Sequence, residues 1–86
     1  MISNEEVART LERIGDLLEI KGENPFKVRA YRLAATQVEN LDDPLAEIVR
    51  REGSLRGVEG FGAAIADKVS ELLETGRLSY LEGLER

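Results

Sequence analysis

Glycine and proline cut this chain into pieces too short for anything but small helices. Gly22 follows Lys21, then come Asn24-Pro25, Asp43-Pro44, Gly53, the pair Gly60 and Gly62, and Gly76. Between these breaks apolar residues return every third or fourth position, the period of one helix face. Ser3 with Glu6 has capping-box spacing, and Val7, Leu11, Ile14 and Leu18 follow, with Leu17 widening the stripe. A first helix is expected over 4–21, with Gly22 as its stop. Asn24 and Pro25 read as N-cap and first residue of a second helix, which carries Phe26, Ala30, Leu33, Ala34 and Val38 to Asn40. Asp43-Pro44 repeats the device for a third helix from Leu45 to Arg51, stopped by Gly53. The Gly60–Gly62 turn launches a fourth, with Ile65, Val69, Leu72 and Leu73 inward and Gly76 as its stop. Ser79 with Glu82 would cap a short last helix. No stretch alternates long enough for a strand. The expectation is all-α: a compact bundle of four to five short helices forming a single domain over 1–86.

Composition removes several chemistries. With no Cys and no His, disulfides, zinc fingers, thiol nucleophiles and imidazole acid–base catalysis are excluded. No run approaches the roughly 18 apolar residues of a membrane helix, and Met1–Glu6 lacks a signal pattern. A monomeric, cytoplasmic protein without a membrane partner is expected, nucleoid-associated if prokaryotic. The net charge of −5 argues against nucleic acid as a partner, but the charge is unevenly spread.

Gly60 and Gly62 can both take φ > 0 and leave the backbone N–H groups uncovered. The helix that follows aims its free N–H groups and positive dipole end back at the turn. Such a turn can hold a phosphate without a basic side chain. The spacing alone suits equally an ordinary αα-hairpin, in which the glycines only permit close packing. Val58 before the turn, Ile65 after it, and small Ala63, Ala64 and Ala66 favour two closely crossed helices. That pattern matches a helix-hairpin-helix, whose amides around Gly60, Phe61, Gly62 and Ala63 would touch one strand's phosphates without reading bases. Glu59 would repel a phosphate unless its side chain turns away.

Pro25 to Arg32 holds Lys27, Arg29 and Arg32 with no acid among them. Lys27 and Tyr31 share a helix face, as do Val28 and Arg32. A tyrosine among cations suits a phosphate or an unstacked base; a solvated basic face with Tyr31 half-buried fits as well. Lys68 stands three residues before Glu71, and one reading is a surface lysine paired with it, worth tenths of a kcal/mol. The other is an amine nucleophile. At an ordinary pKa of about 10.4, only on the order of one amine in a thousand is neutral at pH 7. Bringing it to about 7 takes roughly 4–5 kcal/mol of desolvation or cationic repulsion, which Asp67 and Glu71 oppose unless they face elsewhere.

Leu17-Leu18 with Gly22-Glu23-Asn24-Pro25-Phe26-Lys27-Val28-Arg29-Ala30-Tyr31-Arg32-Leu33-Ala34-Ala35, then Gly60-Phe61-Gly62 through Leu73, then Glu74-Thr75-Gly76-Arg77-Leu78, come in a telling order. Together they resemble the N-terminal domain of family X DNA polymerases, the polymerase β type, and its bacterial and archaeal members in particular. The resemblance covers nearly the whole chain. It implies a DNA repair module that binds gapped, nicked or 5′-phosphorylated DNA at the 5′-phosphate side in base excision repair. Some members are also lyases, excising a 5′-deoxyribose phosphate through a lysine Schiff base. The nucleophile falls on Lys68 and the pocket tyrosine on Tyr31, which with a carboxylate as alternative would assist proton removal. Lys27 falls on a pocket lysine, with Arg29 and Arg32 along the same side. Carbonyls of Arg56, Val58 and Phe61 fall where the family holds Na+ or K+, and no other cofactor is implied. The polymerase palm does not fit within 86 residues, so nucleotide transfer is not expected of this chain alone.

The chain departs from that pattern at Ala64 and Tyr80, where further basic residues usually stand, and at Glu59, which replaces a proline. Losing two cations weakens DNA affinity and the repulsion that would activate Lys68, so lyase activity is expected to be vestigial. A rival class is a free-standing acidic helical protein-interaction module with a purely structural glycine turn. Ending at Leu84-Glu85-Arg86, on a helix without a stop, suggests a cut from a longer polymerase chain or a member reduced to this domain.

Overall fold

The computed structural model describes residues 2–86. Its elements are α1 (Asn4–Ile20), α2 (Pro25–Glu39), α3 (Leu45–Glu52), α4 (Ala63–Thr75) and α5 (Ser79–Leu84), with no strand among the described residues. The all-α expectation holds. Local signals set most boundaries. The Ser3 hydroxyl accepts the Glu6 N–H at 3.2 Å, and the Asn24 side-chain oxygen accepts the Phe26 N–H at 2.8 Å ahead of Pro25. Gly53 and Gly76 close α3 and α4 in the left-handed conformation, each N–H returning to the carbonyl four residues back.

Two starts differ from expectation. Pro44, rather than Asp43, is the N-cap of α3, and no side chain of its own segment caps it. Instead Asn4 reaches across from α1. Its Oδ1 accepts the Leu45 N–H at 2.9 Å, and its Nδ2 donates to the Asp43 carbonyl at 2.9 Å. Ser79 does not cap α5 with Glu82, because α4 supplies a charged acceptor, the stronger partner. Glu71 Oε2 accepts both the Ser79 N–H at 2.9 Å and its hydroxyl at 2.8 Å, while Glu82 is held by Arg77.

α1 and α2 form an antiparallel hairpin, with Asp16 and Glu19 beside Arg32 at one end and Glu5 and Ala8 beside Glu39 at the other. Val7, Leu11, Ile14 and Leu18 are buried as their spacing predicts, against Val38, Leu45, Leu55 and Val69. On α2 the buried face is Val28, Tyr31, Ala34, Ala35 and Val38. Phe26 and Leu33, expected inward, are 79% and 53% exposed. The helix carries two overlapping apolar stripes, and α1 selects between them. Small Ala34 and Ala35 permit close approach, and Gly15 leaves room for the stem of Arg32.

No helix among the described residues is long and apolar enough to cross a membrane. Asn4→Ala removes the only side-chain cap on α3 among the described residues and is expected to cost about 1–2 kcal/mol. The check is a lowered urea midpoint at unchanged m.

Candidate functional site

Between α3 and α4 the backbone makes two tight turns. The Val58 N–H donates to the Leu55 carbonyl at 3.1 Å, and the Phe61 N–H donates to the Val58 carbonyl at 3.0 Å. Buried Leu55 and Phe61 anchor the two ends of this segment in the core. Gly60 has φ +85°, and a Cβ there would lie 2.6 Å from Gln37 Cγ on α2. Glycine is therefore required twice over, by conformation and by contact. Gly62 differs from the sequence expectation: its φ is −81° and ψ 170°, ordinary extended backbone, and a Cβ there would meet no atom within 4 Å. Its consequence is chemical instead. As N-cap of α4 it offers no side-chain oxygen, and Ala63 and Ala64 are exposed, so the first-turn N–H groups lack a capping side chain. The Arg56 guanidinium ties the hairpin to α4 through Asp67 at 3.2 Å. Of the carbonyls expected to hold a monovalent cation, those of Arg56, Val58 and Phe61, that of Val58 already accepts the Phe61 N–H.

A second group of side chains gathers where α2, α4 and α5 meet. Tyr31 and Tyr80 stack with ring centroids 6.1 Å apart and planes inclined by 12°. Lys27 Nζ stands 5.4 Å and Lys68 Nζ 4.7 Å from the centre of the Tyr80 ring. The Tyr80 phenol, with a smaller effect of Glu23, holds the Lys27 ammonium above its ordinary value. Burial first, and then Tyr80, pushes the Tyr31 phenol up to about 12. Tyr31 thus stays protonated at neutral pH, a hydrogen-bond donor rather than the base that proton removal would need.

The carboxylates next to Lys68 face other partners. Asp67 pairs with Arg56. Glu71 is held below the ordinary carboxyl range chiefly by the Ser79 N–H and hydroxyl, with a smaller effect of Lys68, and no Lys68–Glu71 ion pair forms. The basic run of α2 is divided between faces. Lys27 and Tyr31 turn to Tyr80, whereas Arg32 pairs with Asp16 at 3.1 Å and Glu19 at 3.0 Å. Arg29 and Arg32 line an open groove of about 650 Å³ with Glu19, Val28 and Leu33.

Sequence reasoning did not give Tyr80 a part in this cluster. The available signal was that it is one of two tyrosines, set where the pattern expected a cation. Arg56 gave no signal for its bridge.

A glycine-built turn between two helices, an uncapped helix start behind it and a core shared with flanking helices define a helix-hairpin-helix domain. The profile of the family described as "Helix-hairpin-helix domain" matches residues 2–78, and the chain belongs to that family. It is 35% identical over 81 residues to the DNA polymerase/3′-5′ exonuclease PolX of Bacillus subtilis, a match covering 94% of this chain and 14% of that protein. It is 36% identical over 86 residues to DNA polymerase IV of Saccharomyces cerevisiae, covering 96% of this chain and 14% of the relative. The likeness is to N-terminal regions of family X DNA polymerases, and the chain spans about one seventh of either relative's length.

Because Tyr31 ionises in the unfolded chain at the ordinary 10.0 but in the fold at about 12, the native state holds more protons across that window. Stability is expected to fall as pH rises through it, since the unfolded state binds fewer protons. Ultraviolet titration of tyrosinate should show a late step near pH 12 that disappears in Tyr31→Phe.

Proposed function

We propose that this domain binds gapped or nicked DNA at the 5′-phosphate side, as part of DNA repair. The observation that carries this reading is the uncapped start of α4 behind the Gly60 turn, where free N–H groups face solvent at exposed Gly62, Ala63 and Ala64. In the proposal, amides around Gly60, Phe61, Gly62 and Ala63 hold one backbone phosphate. Lys27 and Lys68 hold the terminal phosphate, and Tyr31 braces them as a protonated donor. Arg29 lies with Arg32 on the groove side of α2, apart from this patch, and would meet the strand only beyond it. Carbonyls of Arg56, Val58 and Phe61 would hold Na+ or K+, adding positive charge on the hairpin's inner side. The likeness to two DNA polymerases supports DNA as the partner. The acidic net charge is no obstacle, because backbone amides do the gripping.

Titration of a 5′-phosphorylated gapped duplex is expected to show binding that weakens with salt at a slope of about −1 to −3 in log K against log salt, as for one to three phosphate contacts. Gly62→Asp would cap α4 with its own carboxylate, leaving the melting temperature level or higher while affinity drops at least about tenfold. No binding at low salt, or a Gly62→Asp protein that binds normally, defeats the reading. In the former case a protein-docking role for the domain gains ground.

A weak 5′-deoxyribose-phosphate lyase activity at Lys68 is the second reading. It is favoured by the diversion of Asp67 to Arg56 and of Glu71 to Ser79, which leaves the amine in no ion pair. The amine would add to the sugar C1′ aldehyde and lose water to form an imine. Water or a carboxylate would take the C2′ proton, the electron pair would expel the C3′ oxygen with the strand's 5′-phosphate, and water would hydrolyse the remaining imine to free Lys68. Borohydride should trap wild type on an abasic substrate and not Lys68→Ala; equal trapping removes Lys68 as the nucleophile.

A further inference from the structure

Each ion pair among the described residues uses an arginine. Lys27 and Lys68, from two different helices, approach one aromatic ring instead. Each has a carboxylate close in sequence, Glu23 for Lys27 and Glu71 for Lys68, yet neither forms a bridge with it. For Glu71 the reason is plain, since Oε2 takes both donors of Ser79, the residue preceding Tyr80. The same contact that diverts Glu71 also fixes the start of α5 and so the place of the ring. Tyr31, only 3% exposed, stacks beside Tyr80 and limits its movement.

A carboxylate and an aromatic ring both hold an ammonium in place, but with opposite consequences for a third party. The carboxylate cancels the charge. The ring is neutral, so the ammonium it attracts keeps its full charge and its N–H donors for an anion. We propose that Tyr80 is a positioning residue that gathers Lys27 and Lys68 into one two-ammonium clamp for a terminal phosphate. The inference rests on the 5′-phosphate reading above and adds what makes that site selective. A phosphate monoester carries close to two negative charges at neutral pH, where a bridging diester carries one. Two un-neutralised ammonium groups brought to one ring therefore favour a strand end over an uninterrupted backbone.

The test compares Tyr80→Phe, which keeps the ring, with Tyr80→Leu and Tyr80→Met, which remove it by two routes so that one misfolded variant does not decide the result. Two quantities are read. One is the upfield ring-current shift of the Lys27 and Lys68 side-chain protons in free protein. The other is the ratio of affinities for gapped duplexes bearing a 5′-phosphate or a 5′-hydroxyl. Wild type and Tyr80→Phe are expected to show the shifts and a high ratio. Tyr80→Leu and Tyr80→Met should lose the shifts and about tenfold of the ratio, the cost of leaving two lysines to be ordered by the ligand. Affinity for the 5′-hydroxyl duplex should change little. Absence of the shifts in wild type overturns the positioning role directly. A ratio that survives loss of the ring overturns it while leaving the 5′-phosphate reading intact. If wild type shows the shifts but does not discriminate the two duplexes, the underlying reading fails, and the clamp fails with it.

Discussion

Arg32 lies across Gly15, where any side chain would stand only 3.2 Å from its Cγ, and its guanidinium then reaches both Asp16 and Glu19. The contact accompanies one rotation of α2 about its own axis, the one that buries its Val28–Val38 face, and much else follows from that angle. It turns Val28, Tyr31, Ala35 and Val38 into the core and leaves Phe26 and Leu33 in solvent. It brings Lys27 and Tyr31 to the side where α4 and α5 supply Lys68 and Tyr80. It also presents Gln37 to the glycine turn, so that the hairpin rests on the helix bearing half of the lysine cluster. The ion pairs are exposed and contribute little energy individually. They agree with the stripe that packing against α1 selects, Val28, Tyr31, Ala34, Ala35 and Val38.

The cations of this acidic chain divide by type. Arginine, planar and able to engage two oxygens, is placed opposite carboxylates at helix junctions: Arg13 with Glu85, Arg32 with Asp16 and Glu19, Arg56 with Asp67, Arg77 with Glu82. Lys27 and Lys68 are held by aromatic contact instead. Structural work and charge display thus fall to different residues. The net charge of −5 says little about the face that carries the two lysines and the uncapped α4 start.

Features settled by neighbours in the chain were legible in the sequence. Gly22, Asn24-Pro25, Gly53 and Gly76 act within one turn of where they stand, and the helix limits fall close to where they predict. Features settled across the fold were not. The Asn4 clamp joins residues whose separation in sequence is 41, and nothing near Pro44 announces it. Lys68 and Glu71 share a helix face at i,i+3, but Ser79, invisible to that pattern, takes the carboxylate. Gly60 and Gly62 look alike in sequence, yet only Gly60 of the two adopts positive φ, and it alone lies against Gln37. Tyr80 read as a missing cation. In the fold it is the surface on which two cations meet.

The reach of the Asn4 clamp also bears on the order in which the molecule comes together. Loop-closure entropy grows with the length of chain enclosed. The α1–α2 pair closes across the short Lys21–Asn24 connection. α3 is fixed to Asn4 across 41 residues, and α5 to Arg13 across 72. By chain length alone the α1–α2 and α4–α5 pairs are the inexpensive closures, and the Asn4 and Arg13 contacts the costly ones. The Gly60 turn lies against Gln37 of α2, so its support too comes from a distant part of the chain.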